Sequence, residues 1–384
     1  MTVDEALFRF LQARSRCSQY ASCQPELRTA EHPLRMQNRL SAFAALVIFA
    51  MAALLCASLI IVLRPVLQRY AMARPNPRSS HKVPTPQGGG IAVIATTISI
   101  SYAALWFLPT DAAAPFQFPT VIAAVVLIAG VGVLADIHPE NVALRLLLQT
   151  VAVAAVIITL PQELRVLPVV PVAAERIALV IGGLWFINLV NFMDGLDWMT
   201  VVEVVPITAA LAAIGLLGIL PWQEIVLSLA LCGAMIGFAF FNRPVATLFL
   251  GDVGSLPIGL LLGWLLLWLA GSGARTAAVL LPLYYLADST ITLTHRAIEG
   301  QPVWQAHRSH FYQRATDRGF RVVEIVTRVL VVNVLLAALA LTTVIVPSPT
   351  LDLAALSAGA ALVVWLLIAF SRGRDVTTLF RRGR

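Results

Sequence analysis

Of the chain's 384 residues, 59% are hydrophobic and only 12% charged, too few polar groups to cover a soluble globule of this size. The formal charge of +7 reads as membrane orientation plus attraction to anionic lipid, and makes nucleic acid a poor partner. The cysteines do not suggest a disulfide framework: Cys56 and Cys232 fall inside apolar runs, while Cys17 and Cys23 stand in a polar segment, and none has metal-site spacing.

Residues 1–40 are polar and carry six arginines. They lack the apolar core and small-residue cleavage site of a signal peptide, and Met36, followed by QNRL and the first apolar run, reads as a more natural start. Eleven apolar runs then recur, at 41–63, 90–108, 119–135, 144–160, 176–193, 200–220, 223–241, 255–271, 276–295, 322–346 and 353–370. Each is close to the ~17–25 residues that cross a bilayer. Each is continuously apolar instead of alternating, which makes helices and not barrel strands. The expected fold class is all-α, a polytopic transmembrane helical bundle of about 10–11 helices. Residues 41–371 would form one integral-membrane domain, 1–40 a polar extension and 372–384 a basic tail.

Positive charge gathers after odd-numbered runs. Arg64, Arg69, Arg74, Arg78 and Lys82 follow the first, Arg243 the seventh, and Arg296, Arg308, Arg314, Arg318 and Arg321 the ninth. The tail adds Arg372, Arg374, Arg381, Arg382 and Arg384, whereas loops after even-numbered runs hold chiefly Arg165, Arg176 and Arg275. The odd loops and the C-terminus are therefore expected to be cytoplasmic. The six arginines of 1–40 disagree with this scheme, since a count of eleven puts them outside.

The polar clusters all fall on the cytoplasmic side, where independent structural polar residues would scatter over both faces. In RPNPRSSHKVPTPQGGG (74–90), prolines and glycines forbid regular helix, and Arg78, Ser79, Ser80, His81 and Lys82 supply phosphate-type donors. The alternative is a basic loop that serves only orientation. In GVLADIHPENVALRLLLQ (132–149), Asp136 sits where the third run meets the cytoplasm, ahead of a helix carrying Arg145 and Gln149; a lone interfacial aspartate is more often a cap than a catalyst. LVNFMDGLDWMT (189–200) places Asn191, Asp194 and Asp197 at the end of the fifth run, where carboxylates are costly and so functional by default. Their spacing of three puts them on one side of a helical continuation, with Gly195 loosening the backbone. GDVGS sets Asp252 between Gly251 and Gly254 at the mouth of the eighth run. Several carboxylates on one face suit Mg²⁺, which favours one or two of them plus substrate phosphates over an all-protein cage. Finally, HRAIEGQPVWQAHRSHFYQRATDRGF (295–320) clusters His307, Arg308, His310 and Arg314. Phosphate binding ranks above zinc for this cluster, because a third protein ligand is missing from the motif; a solvated basic loop is the bland alternative. Together these groups point to phosphoryl transfer involving a lipid phosphate.

PNPRSSHKVPTPQGGG, ADIHPE with LRLLLQ after it, NFMDGLD, LFLGDVGSLPIG and VWQAHRSHFYQR, in this order, resemble the polyprenyl-phosphate N-acetylhexosamine-1-phosphate transferases of glycosyltransferase family 4, over about 64–320. The resemblance implies a bacterial inner-membrane enzyme that moves a sugar 1-phosphate from a UDP-N-acetylhexosamine to undecaprenyl phosphate, releasing UMP, with Mg²⁺ or Mn²⁺. It implies Asp252 as the main metal ligand, with Asn191 and Asp194 supporting metal and nucleotide. It gives Asp136 a place in activating or positioning the lipid phosphate, and His307, Arg308 and His310 contact with substrate phosphates, with Asp197, Lys82 and Arg78 as further substrate contacts. A homodimer is compatible with it. This chain departs from the pattern in three places. Ala135 precedes Asp136 where paired aspartates are usual, the lysine four residues on is absent, and Trp198 replaces a glycine. HRSH in place of a triple histidine leans toward the O-antigen-initiating branch, ahead of the phospho-N-acetylmuramoyl-pentapeptide transferases. Ala135 leaves open a catalytically weakened lipid-binding homologue. A transporter fits less well, because no internal repeat is visible and the clusters lie at one surface.

Overall fold

A computed structural model describes residues 42–73, 83–107, 117–137, 142–302 and 307–372. The expected polar extension and basic tail therefore lie outside the described residues, apart from Arg372 at the last helical position. In chain order the described elements are α1 (Ala42–Tyr70), β1 (Met72–Ala73), β2 (Thr85–Pro86), α2 (Gly89–Phe107), α3 (Gln117–Ile137), α4 (Val142–Ile158), α5 (Val172–Met193), α6 (Met199–Leu216) and α7 (Trp222–Ala239). They continue with α8 (Asp252–Gly271), α9 (Arg275–Leu280), α10 (Leu283–Ile298), α11 (Phe311–Asp317), α12 (Val322–Ile345) and α13 (Pro349–Arg372).

Nine of these helices are long and apolar enough to cross a membrane, and α4 is a shorter apolar helix of 17 residues. The ninth expected run, 276–295, is not one helix. It breaks into α9 and α10 at Leu281 and Pro282, because proline lacks an N–H and its ring clashes with the preceding turn. A break inside an apolar layer leaves backbone N–H groups that neighbouring helices must satisfy. Glu203 of α6 stands at that place, next to the Tyr285 N–H in the first turn of α10, and receives the Asn333 side chain of α12 at 2.6 Å. Glu203 and Asn333 are both buried.

The all-α architecture has α8 at its centre. It is buried over most of its length and packs on α2, α3, α5, α6 and α9, while α1 closes on α7 at the periphery. The two-residue strands pair antiparallel, Met72 with Pro86 and Ala73 with Thr85, and Gln87 bridges in parallel to Phe249. That small patch fixes the entry of α2 beside the entry of α8: the Gly89 and Gly90 N–H groups donate to the Phe249 and Leu250 carbonyls at 2.9 and 2.8 Å. The triple glycine at the start of α2 thus has a packing reason. A Cβ on Gly90 would lie 2.2 Å from the Gly254 Cα, and one on Gly254 would lie 2.6 Å from the Gly90 Cα.

Gly90→Val should therefore force α2 and α8 apart, costing at least the ~1–3 kcal/mol typical of overpacking. Gly130→Ala, which meets nothing within 4 Å, serves as control. Detergent-solubilised Gly90→Val should show a clearly lower thermal midpoint than both the parent and Gly130→Ala; equal midpoints would refute the close crossing.

Candidate active site

The site begins with the first turn of α8. Gly251 precedes it at φ +77°, a left-handed conformation that costs glycine little, and offers no side chain to cap the helix. The cap comes from elsewhere. Asp136, at the end of α3, accepts the Asp252 N–H at 3.0 Å and the Val253 N–H at 3.2 Å. A Cβ on Gly251 would come within 2.6 Å of the same carboxylate, so glycine is required twice over. Gln87 donates to the Asp136 carbonyl at 3.0 Å, tying the β2–α2 entry to this corner.

With its backbone held, Asp252 projects a carboxylate that remains about 32% exposed. Asn191, near the end of α5, donates to Asp252 Oδ1 and to Ser255 Oγ, each at 2.8 Å. Arg145 of α4 stands 3.6 Å from Asp252 Oδ2, a loose contact that leaves both charges available to a ligand. Asp194 follows α5 as its C-cap and accepts a hydrogen bond from Thr200. Burial pushes its carboxyl up to about 7; the Thr200 hydroxyl pulls the other way, and the carboxylates of Asp252, Asp136 and Asp197 add to the rise. Such mutual repulsion marks a place where a cation is welcome. Among the described residues no three His, Cys, Asp or Glu side chains form a cation cage. Asp252 and Asp194, with the Asn191 amide, fit a divalent ion that completes its shell with phosphate oxygens and water.

Asp197 is placed differently from the expectation of one shared helical side. α5 stops at Met193 and the chain turns, so Asp197 accepts the Ala246 N–H at 3.0 Å in the α7–α8 connection. Gly195 is no hinge of positive φ. It makes room for Tyr312, whose hydroxyl would lie 2.2 Å from a Cβ there and donates to the Phe192 carbonyl at 3.0 Å. Trp198, standing where the resemblance has glycine, has a left-handed backbone with φ +65°. Its N–H donates to Asn242 Oδ1 and its indole N–H to the Ala239 carbonyl, each at 2.7 Å, which offsets the roughly 1–2 kcal/mol that this conformation costs a non-glycine residue.

The histidine motif is built against α10. His310 is the N-cap of α11 and lies 3.2 Å from Asp288 of α10. Its ring stacks on His307 with centroids 4.8 Å apart, and His307 in turn lies 6.4 Å from the Phe192 ring of α5. Arg308 ion-pairs with Asp317 at 2.9 Å and donates to Thr316 at 2.9 Å, so it is anchored to α11. Arg314 is exposed. Arg78 and Lys82 lie outside the described residues.

Toward the membrane interior, a cavity of about 270 Å³ runs between α4, α5, α8, α9 and α10, and its lining includes Phe186, Gly259, Gly263 and Trp264. Phe186 precedes Asn191 by five residues and Gly259 follows Ser255 by four, so the cavity starts roughly 6–8 Å along the helices from the polar centre.

Residues 118–270 match the model of glycosyl transferase family 4. Over that stretch the chain is similar to this family. The matched segment contains Asp136, Arg145, Asn191, Asp194 and Asp252, whereas the histidine motif follows it. A probable undecaprenyl-phosphate N-acetylglucosaminyl 1-phosphate transferase of Bacillus subtilis (strain 168) is 23% identical over 271 residues, 66% of this chain and 74% of that protein. A phospho-N-acetylmuramoyl-pentapeptide-transferase of Aliarcobacter butzleri (strain RM4018) is 48% identical over 40 residues, 10% of this chain and 11% of that protein.

Sequence reasoning brought Asn191, Asp194 and Asp252 to one place, but it left Arg145 without a role and passed over Ser255, Thr200 and Asp288. Asp288 carried a readable signal, since a carboxylate within an apolar run is informative by itself. The partners of Ser255 and Thr200 had none.

Loss of the α8 cap in Asp136→Ala should destabilise the protein by about 1 kcal/mol, while Asp136→Asn, which keeps one acceptor oxygen, should lose less; thermal midpoints in detergent check the order. Asp194 favours its protonated form in the folded state from its ordinary 3.8 up to about 7. The unfolded chain binds fewer protons in that window, so stability should fall as pH rises through it. In chelator, Asp194→Asn should flatten this fall relative to the parent; identical pH slopes would refute it.

Proposed function

We propose that this protein transfers an N-acetylhexosamine 1-phosphate from a UDP-sugar to undecaprenyl phosphate at the cytoplasmic face of a bacterial inner membrane, releasing UMP and starting a lipid-linked surface glycan of the O-antigen kind. One observation carries the reading: Asp252, Asn191, Asp194 and Arg145 converge at one end of an apolar bundle, a turn or so from an apolar cavity. Carboxylates, a cation and a greasy cleft are what a diphosphate and a lipid phosphate need in common. The B. subtilis relative, named as an undecaprenyl-phosphate N-acetylglucosaminyl 1-phosphate transferase, supports the same chemistry. The likeness to a pentapeptide transferase is confined to 40 residues, so that reading ranks second.

In this reaction an oxygen of the lipid phosphate attacks the sugar-bearing phosphorus. A new P–O bond joins the lipid phosphate to the sugar phosphate, the bond to the UMP phosphate breaks, and UMP leaves with the electron pair. With a dianionic lipid phosphate the step balances without proton transfer. Asp136 then needs no role as a base: by capping α8 it holds Asp252 in place. Mg²⁺ or Mn²⁺, held by Asp252 with Asn191 and Asp194, would neutralise charge building on the diphosphate. Arg145, 3.6 Å from Asp252, is placed to meet a phosphate oxygen. The cavity lined by Phe186 and Gly259 would hold the start of the polyprenyl chain, keeping the acceptor phosphate at its polar end.

Purified protein supplied with undecaprenyl phosphate, Mg²⁺ and a panel of UDP-sugars should release UMP and form a lipid-linked product. Chelation should stop turnover and Mg²⁺ or Mn²⁺ should restore it, while Asp252→Asn should lose at least about 100-fold in kcat. No turnover with any sugar, in a folded preparation, would overturn the reading.

A further inference from the structure

Asp288 of α10 is fully buried, away from the Asp252 centre, and five groups converge on its carboxylate. His310 Nδ1 lies 3.2 Å from Oδ1, which also receives the Phe311 N–H at 3.1 Å and the Thr292 hydroxyl at 3.3 Å. The Tyr312 N–H and the Tyr284 hydroxyl each reach Oδ2 at 3.3 Å. His310 is itself only 1% exposed, its ring stacked between those of His307 and Tyr312. Its other nitrogen, Nε2, is buried and has no hydrogen-bond partner among the described residues.

We propose that Asp288 is a positioning residue of the substrate-phosphate site, fixing His310 in the tautomer and orientation that leave Nε2 as its ligand-facing atom. The proposal rests on the transferase reading above. A carboxylate only accepts, so the nitrogen beside it carries the proton in both the neutral and the charged imidazole. Flipping the ring would set a C–H against the carboxylate and forfeit that bond, and the two stacked neighbours bar intermediate angles. The exchangeable proton of His310 therefore belongs to Nε2: bearing it, Nε2 donates to a phosphate oxygen, and lacking it, Nε2 accepts a proton from one. An unpartnered buried nitrogen is destabilising, and a ligand oxygen removes that cost. The same carboxylate takes the first N–H groups of α11, and Tyr312 joins α11 to the Phe192 carbonyl. Asp288 thereby holds His310 in one frame with the end of α5, where Asn191 and Asp194 stand.

Two arms test this. In protein labelled with ¹⁵N at histidine, the His310 ring signals, assigned by their loss in His310→Gln, should show the Nδ1–H form, and Asp288→Asn should shift the tautomer balance. An Nε2–H form in the parent, or no change in the variant, would overturn the proposal. In the turnover assay, Asp288→Asn should lower kcat by at least about tenfold, as loss of an orienting carboxylate does, with a much smaller change in KM for the UDP-sugar. The double variant Asp288→Asn/His310→Gln should be no slower than His310→Gln alone, because Asp288 acts through His310. Additive losses would mean that Asp288 merely holds the fold. A parent that turns over no UDP-sugar sinks the transferase reading, and the resonance arm then decides the role of Asp288 by itself.

Discussion

The structure depends on one constraint: helix N-termini that open inside or beside an apolar layer have no water to satisfy their N–H groups. Each such orphan costs on the order of 1–3 kcal/mol when buried. Here carboxylates from other helices meet the need. Asp136 of α3 caps α8, Asp288 of α10 caps α11, and Glu203 of α6 stands at the opening of α10. Each opening also lies within reach of the positive end of a helix dipole, which favours negative charge. What binds the bundle together at these points is thus the same charge pattern that a phosphate-handling site requires.

The capping arrangement explains why the site is rigid where it needs to be. Asp252 is the first residue of the capped helix, so its backbone is fixed by α3 while its side chain is free to meet Asn191, Arg145 and a ligand. The close glycine pair of α2 and α8 sets the same corner from the other side. His310 is held by a parallel device: the cap of its helix is also the partner of its ring. The two halves of the proposed site, one on α8 and one on α11, are joined by Tyr312 through the tight passage at Gly195.

The departures from the family pattern take a physical form. Trp198, where the resemblance has glycine, adopts a left-handed backbone anchored by two hydrogen bonds of its own. The retained aspartate of the Ala135–Asp136 pair is the one that caps α8, which means that the missing carboxylate does not undo the placement of Asp252. The absent lysine falls in a stretch outside the described residues.

The eleven apolar runs were legible in the sequence, because insertion into a bilayer depends on local hydrophobicity summed over about 20 residues. The described helices follow them closely, except that the ninth, read as one run, breaks at Pro282. Asn191, Asp194 and Asp252 were legible for the same local reason, as polar groups at the ends of apolar runs. The tertiary structure alone decided their partners. The cap of α8 joins residues 116 positions apart, and the bond from Tyr312 to Phe192 spans 120; no local pattern encodes such pairs. It also moved Asp197 from the shared side that its spacing implied to the α7–α8 connection, because a helix that ends at Met193 carries its periodicity no further. Composition and periodicity fix which segments enter the membrane and where each ends, since those are properties of single helices. Which carboxylate satisfies which helix end is settled only when the helices pack and their orphaned N–H groups must find acceptors.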